Sequence, residues 1–417
     1  MSDTLTLSTL REATRSAVAI RAILRLQPAG GPGSTVFPPT YANAQDGKDG
    51  DRFQNTKYAT ELRRIDGEKV NCVLLDSVAS QANRMELALL EGWRSGDLAF
   101  PLVRVDFSAA EGIERVTEVT TLDAPHRIYD AILRDAVDAE GTLFRYTAPG
   151  KAVTDATHRD ATALYTYCPT ALIFGAWDST GPKGGLGSKF QRAVSSEIVG
   201  IGAELGTKVG GRIDPLGIVS KAGPVFKSDS NDGWSFDAPT AKDKGVRPSE
   251  VNHGNIAPTR DMEAGGVTID HARQTTVISL PALRRIKFTT TVDGSPTADR
   301  KATELAARTA LAALAVAGVA TAHAEGHDLR SGALLVGEGP LSFEIVQADG
   351  SVQGPYVVTA DDAAALLAAA NEAAAAVGMG WQKEPIPTLK PAPKLVQLLS
   401  QSQNLEAKQP QGDNEED

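Results

Sequence analysis

The stretch "KVNCVLLDSVASQANRMELALLEGWRSG", residues 69–96, constrains the fold more than any other part of the chain. An unbroken apolar run of strand length passes, with no spacer, into a segment where Val78, Ala82, Met85 and Leu89 recur at helical spacing, with Gly92 and Gly96 near its stop. A strand that feeds a helix directly buries its apolar residues only if the helix folds back on a sheet, so a mixed α and β architecture is expected.

The remaining pattern agrees. In "SAVAIRAILRLQ", residues 16–27, Val18, Ile20, Ala22, Leu24 and Leu26 share one period-two face with Arg21, Arg25 and Gln27 opposite, which predicts a half-buried strand. "LAFPLVRVDF" and the aromatic, β-branched "ALYTYCPTALIFGAW" also read as strands, and "DAPHRIYDAILRDA" reads as a helix capped by Asp123 with Pro125 in its first turn. "QTTVISLPALRRIKF" predicts a strand ending at Ser279, which caps a short helix opened by Pro281. An alanine-rich helix follows in residues 297–324, then two strands in "GALLVGEGPLSFEIV" and a helix opened by a Thr359–Asp362 capping box. Polar, glycine-rich segments at about 28–60 and 200–266 show neither period and are read as insertions leaving the core. The expected fold class is α+β, with one domain over 1–382 and a proline-bearing arm with a disordered acidic tail over 383–417.

Charge and cysteine content exclude several classes. The chain of 417 residues carries 42 basic and 52 acidic side chains, a net charge of −10, which argues against a simple basic nucleic-acid binder. Five of the acids crowd into "NLEAKQPQGDNEED", however, and between Thr180 and Ser196 the balance reverses, with Lys183, Lys189 and Arg192 and no acid. A groove depends on what lines it, whatever the total. Cys72 and Cys168 are too few for a disulfide framework or a four-thiolate zinc site and are expected as small apolar residues in strands. No cationic segment with a long apolar run precedes the first strand, and Glu304 and Arg308 interrupt the alanine-rich helix, so the expectation is a cytoplasmic protein with no membrane partner.

The segment "GAWDSTGPKGGLGSKFQRAVSSEI", residues 175–198, holds five glycines and two lysines. A Walker loop needs a lysine directly after its last glycine, but Ser188 separates Gly187 from Lys189; a dinucleotide fingerprint fails because Phe190 stands where its third glycine belongs. The loop is either an ordinary surface loop or one whose bare amides at Gly184 and Gly185, with Lys183, Lys189 and Arg192, contact the phosphates of a polymer. A second candidate is the polar face Ser80, Gln81, Asn83 and Arg84, weighed against a solvated helix face; the absence of acids from Ser77 to Met85 favours anion contacts. Arg284 and Arg285 form either a basic wall or a helix end offsetting the dipole. His253, between Asn252 and Asn255, is a candidate acid or base, or a histidine that only stabilises its loop. "HAEGH" is not a zincin motif because Glu325 stands two places after His323, and neither a metal nor a cofactor is expected. No catalytic constellation stands out, and low aromatic content makes base stacking on an aromatic sheet a poor basis for binding.

Taken together, "LLDSVASQANRMELALL", "CPTALIFGAWDSTGPKGGLGSKFQRAVSSEI", "PSEVNHGNIAP", "GGVTIDHARQTTVISLPALRRIKF" and "HDLRSGALLV" resemble the backbone subunit of a type I CRISPR effector complex, in particular the Csb-type protein of subtype I-G, formerly I-U, in the Cas-seven family. The resemblance runs from about Asn71 to Val336. It implies a fold of the repeat-associated mysterious protein superfamily: a modified RNA-recognition-motif palm, ferredoxin-like, with an antiparallel sheet and thumb- and finger-like insertions. It also implies a non-catalytic protein that polymerises along guide RNA with further copies of itself, presents the guide to target DNA, and works with other effector subunits and a recruited helicase-nuclease. By resemblance, Ser80, Gln81, Asn83, Arg84, Lys183, Gly184, Gly185, Lys189 and Arg192 contact guide phosphates or sugars, and Asn252, His253 and Asn255 serve a thumb or subunit contact. Two rival readings are an enzyme acting on a phosphorylated small molecule and a guide-processing ribonuclease of the same fold, each using His253.

Overall fold

A computed structural model describes residues 4–41, 56–110, 112–113, 116–179, 181, 187–228, 233–238 and 244–406. The chain opens with helix α1 (Leu7–Ser16), capped by Thr6, whose hydroxyl accepts from the Thr9 amide. Strand β1 (Ala19–Pro28) follows, then a hairpin of β2 (Thr60–Ile65) and β3 (Glu68–Asp76). The hairpin turns at Asp66 and Gly67, both at positive φ, as a tight turn with the right-handed twist of its strands requires. Helix α2 (Val78–Ser95) starts at the Ser77 cap and stops at Gly96, which is left-handed.

After a run of short helices come β4 (Val194–Ile201), β5 (His271–Ser279), α3 (Leu280–Arg285) and α4 (Arg300–Ala324). The chain continues through β6 (His327–Asp328), β7 (Leu334–Gly337), β8 (Ser342–Val346), β9 (Val352–Val357), α5 (Ala360–Ala375) and α6 (Pro393–Glu406).

Among the described residues, nine strands form one antiparallel sheet in the order β6-β7-β1-β5-β4-β3-β2, with β8 joining β1 beside Ala19–Arg21 and β9 outside β8. Register turns one set of residues inward: Ile20, Ala22, Leu24 and Leu26 of β1, and Ala272, Gln274, Thr276 and Ile278 of β5. Helices α2 and α4 cover that face, and α4 packs in turn on α1 and α5. This explains the alanine in α4. From Ala307 to Ala320 the helix is buried on every side, and small side chains let neighbours close in: a Cβ on Gly318 would lie 3.2 Å from Leu89. Among the described residues α4 alone is long and apolar enough to cross a membrane, yet 78% of its most apolar window is buried inside the protein. Glu304 is held there by Arg308 at 2.6 Å and Arg300 at 3.0 Å.

The Ser279 cap with Pro281, and the reciprocal Thr359–Asp362 box, form as expected. Other expectations fail. "ALYTYCPTALIF" folds as two helices, Thr162–Tyr167 and Thr170–Phe174, rather than strands. Leu164, Tyr165 and Leu172–Phe174 are buried on all sides, and an apolar run without a solvent face carries no period to separate helix from strand. Cys168 therefore lies between helices, whereas Cys72 sits in β3 as expected. Asp123 caps no helix: its carboxylate accepts from the Thr120 amide and hydroxyl, Arg127 takes φ 54°, and the helix starts later, at Ala131–Arg134, under Asp130. Of "LAFPLVRVDF" only Arg104–Asp106 is strand. The arm beyond 383 contains α6, whose Leu395, Val396 and Leu399 pack on the main core; the acidic tail from 407 lies outside the described residues.

Candidate nucleic-acid interface

The polar face of α2 is built around a fully buried carboxylate. Asp76, the last residue of β3, accepts from Gln81 Nε2 at 2.6 Å and Arg84 Nε at 3.0 Å, while Arg330 Nη2 stands 3.7 Å from its other oxygen. Gln81 Oε1 accepts from Ser196 and Gln274, and Ser196 also meets Thr276 at 2.8 Å. Arg84 donates onward to the carbonyls of Asp328 and Leu329, and Arg330 to that of Leu75. A charge taken out of water must be paired and hydrogen-bonded; here Oδ2 takes both hydrogen bonds, while Oδ1 accepts none and has the Arg330 charge nearby. Gln81 and Arg84 are thus committed to protein partners, Ser80 is half-buried, and Asn83 is the exposed member of the set. Beside them His327 is pushed down to about 4, first by burial and then by the charges of His323 and Arg84. The two histidines of "HAEGH" meet ring to ring, Nδ1 to Nε2 at 3.3 Å, and no group of three or more potential metal ligands exists among the described residues.

The glycine-rich segment is a hairpin whose stem pairs Ala176 with Phe190 and Trp177 with Lys189. Lys183, Gly184 and Gly185, between the two stem strands in sequence, lie outside the described residues. Its root is pinned. Gly175 takes φ 85°, and its carbonyl accepts from Arg127 Nη1 at 2.9 Å. Arg127 in turn grips the buried Glu86 of α2 with two hydrogen bonds, at 2.6 and 2.8 Å; burial pushes Glu86 up to about 7 against the pull of Arg127. Arg192 donates through Nε to the Phe174 carbonyl, and burial followed by the charge of Arg127 holds it below its ordinary value. On the other side Asp178, buried in the stem, pairs with Arg145 at 3.0 Å, and Ser188 donates to the carbonyls of Thr154 and Ala156.

Among the described residues the hairpin and its exit carry two of the candidate cations, Lys189 and Arg192. Lys189 is exposed, with its ammonium 5.0 Å from the centroid of the Trp177 ring. Phe190 stacks on His158 at 4.7 Å; burial, then the charge of the exposed Arg285, lowers that imidazole. Lys189 thus faces solvent with Trp177, whereas Phe190, next in the strand, points inward onto His158. Arg284 turns away, donating to the carbonyls of Thr14 and Ala17 and closing the end of α1. Sequence reasoning passed over Trp177, although it immediately precedes the loop, and over His158, Arg127 and Arg145, whose roles exist only after distant segments meet.

The insertion is separate in construction. An antiparallel pair, Lys208–Arg212 with Ile256–Asp261, projects with its side chains largely exposed. Asn252, at φ 61°, ends the turn Pro248–Val251; the His253 amide donates to Pro248, and its ring meets Trp234 edge to face at 5.7 Å. Asn255 Oδ1 accepts from the Asp214 amide, and Asp214 accepts from Gly254. The string is stitched to its own insertion. On the outer sheet face Arg21 pairs with Glu344, Arg25 with Glu338 and Arg63 with Glu197.

Residues 20–205 match the sequence model of the family described as CRISPR-associated protein GSU0053. This segment is therefore similar to a CRISPR-associated family. The matched segment takes in nearly all of β1, all of β2 to β4, α2, Asp76 with its Gln81 and Arg84 partners, and the glycine-rich stretch 175–198, but not β5, α4 or most of the insertion. None of the curated proteins compared with the chain matches it.

Proposed function

We propose that the chain is a non-catalytic backbone subunit of a type I CRISPR effector complex, of subtype I-G, which binds the sugar-phosphate strand of guide RNA, assembles along it with further copies of itself, and presents the guide for pairing with target DNA. The observation that carries the reading is that the matched segment contains a rigidly rooted hairpin bearing Lys189 and Arg192. Cations and amides at close range suit phosphates without reading bases.

The fold supports the same reading. In chain order β1, α2, β4, β5, α4 and β8 follow a β-α-β-β-α-β path, and their order across the sheet, β8-β1-β5-β4, is that of a ferredoxin-like or RNA-recognition-motif palm. The insertion at 200–266 then takes the place of a thumb, and its exposed apolar side chains, Ile213 at 88% and Leu216 at 77% exposure among them, suit contact with a neighbouring subunit. His253 serves its own loop, which weighs against the ribonuclease reading.

Filter binding of a mature guide RNA over a range of salt tests the proposal. Phosphate neutralisation requires log K to fall steeply with log salt. A flat line, or protein that purifies as a monomer free of nucleic acid and ignores the guide, would overturn it. Cleavage of repeat RNA that is lost in His253→Ala would favour the nuclease instead.

A further inference from the structure

We propose that Trp177, with Lys189 beside it, is a stacking platform for one unpaired nucleobase of the bound RNA strand, an inference that rests on the RNA-binding reading above. Trp177 is 46% exposed. Trp93, by contrast, is buried and donates its indole N–H to Phe100, and Trp381 packs on Tyr165. Among the described residues no aromatic ring stacks on Trp177, and the Lys189 ammonium lies 5.0 Å from its centroid, so a ligand that displaces the ammonium can reach that face.

The platform is preorganised. The Asp178 amide donates to the Ser188 carbonyl at 2.9 Å, Arg145 neutralises the Asp178 carboxylate, and Phe190 is clamped on His158. A ring held by such supports loses little freedom when a ligand stacks on it. The chemistry beside it selects the ligand. An exposed cation–π contact is weak and readily exchanged, whereas a base on an indole face is a stronger contact that every base can make. A nucleotide offers both exchanges at once, its phosphate to the ammonium and its base to the ring. Lys189, exposed beside the ring, supplies the complementary charge.

The test compares an oligouridylate with an abasic oligomer of equal phosphate number, bound to the full-length protein and to its Trp177→Ala and Trp177→Phe variants. Trp177→Ala is expected to weaken oligouridylate binding by about fivefold to a hundredfold and to leave abasic binding unchanged; Trp177→Phe retains most of the affinity. Oligouridylate also quenches wild-type tryptophan fluorescence, and Trp177→Phe abolishes that quenching. Equal losses on both ligands, or no loss on either, overturn the platform while leaving phosphate binding intact. If the wild type binds neither oligomer, the RNA-binding reading fails and the platform with it.

Discussion

Glu86 and Arg127 form a bidentate ion pair sealed from solvent, with Arg127 Nε 2.6 Å from Oε1 and Nη2 2.8 Å from Oε2. The pair joins α2 to the root of the glycine hairpin, because the same guanidinium holds the Gly175 carbonyl and lies 5.6 Å from the centroid of the Phe174 ring. Arg127→Met should therefore cost about 3–5 kcal/mol, since it strands a buried carboxylate. Adding Glu86→Gln should recover part of the loss. Urea unfolding checks both, and a single variant within about 1 kcal/mol of wild type would contradict the pairing as described.

Much of the fold was legible because its signals are local. The hydroxyl of Ser279, the proline after it and the Thr359–Asp362 box act within one helical turn, so their residue types predict their geometry. The polar face of α2 was harder. Its acid-free run from Ser77 to Met85 suggested an anion site, but the acids that matter bracket it: Asp76 and Glu86 sit one residue outside each end and are paired by Gln81, Arg84 and Arg127. Only tertiary structure reveals that pairing, since Arg127 comes 41 residues after Glu86. Trp177 was hidden for a related reason: exposure and the Lys189 contact belong to the folded hairpin and not to the string of letters.

His327 makes the protein acid-sensitive. Burial holds it at about 4 against an ordinary 6.5, so between those values an unfolded chain binds a proton that the folded chain refuses. Stability is then complete above pH 6.5 and falls as pH drops toward 4, by up to about 3 kcal/mol from this residue. His327→Gln should be less stable than wild type at pH 8 and lose less on going to pH 5. Urea midpoints at both values read this directly, and parallel losses in the two proteins would refute the assignment.

Gly175 is a position where only glycine fits. At φ 85° and ψ 156° it occupies a region closed to side chains, and a Cβ would stand 3.0 Å from the Arg192 amide and 3.1 Å from the Phe190 carbonyl. Gly175→Ala should cost about 1–3 kcal/mol. The thermal midpoint of the variant measures it; an unchanged midpoint would show that the hairpin root relaxes freely.

Lys189 and Arg192 share a hairpin but not an environment, and that separates their expected behaviour. The Lys189 ammonium is exposed with only an indole face near it among the described contacts, so Lys189→Ala should leave unfolding unchanged. Its effect falls on RNA: affinity drops for every spacer sequence alike, and the slope of log K against log salt becomes shallower by about 0.7, one single-strand phosphate contact. Arg192 is half-buried and anchors the Phe174 carbonyl, so Arg192→Ala should lose stability, by about 1 kcal/mol for that hydrogen bond, as well as affinity. Salt titrations on guides of unrelated spacer sequence, run beside urea unfolding, test both substitutions. Losses that depend strongly on spacer sequence would mean these cations read bases, and the proposed grip on the phosphate strand would then be wrong.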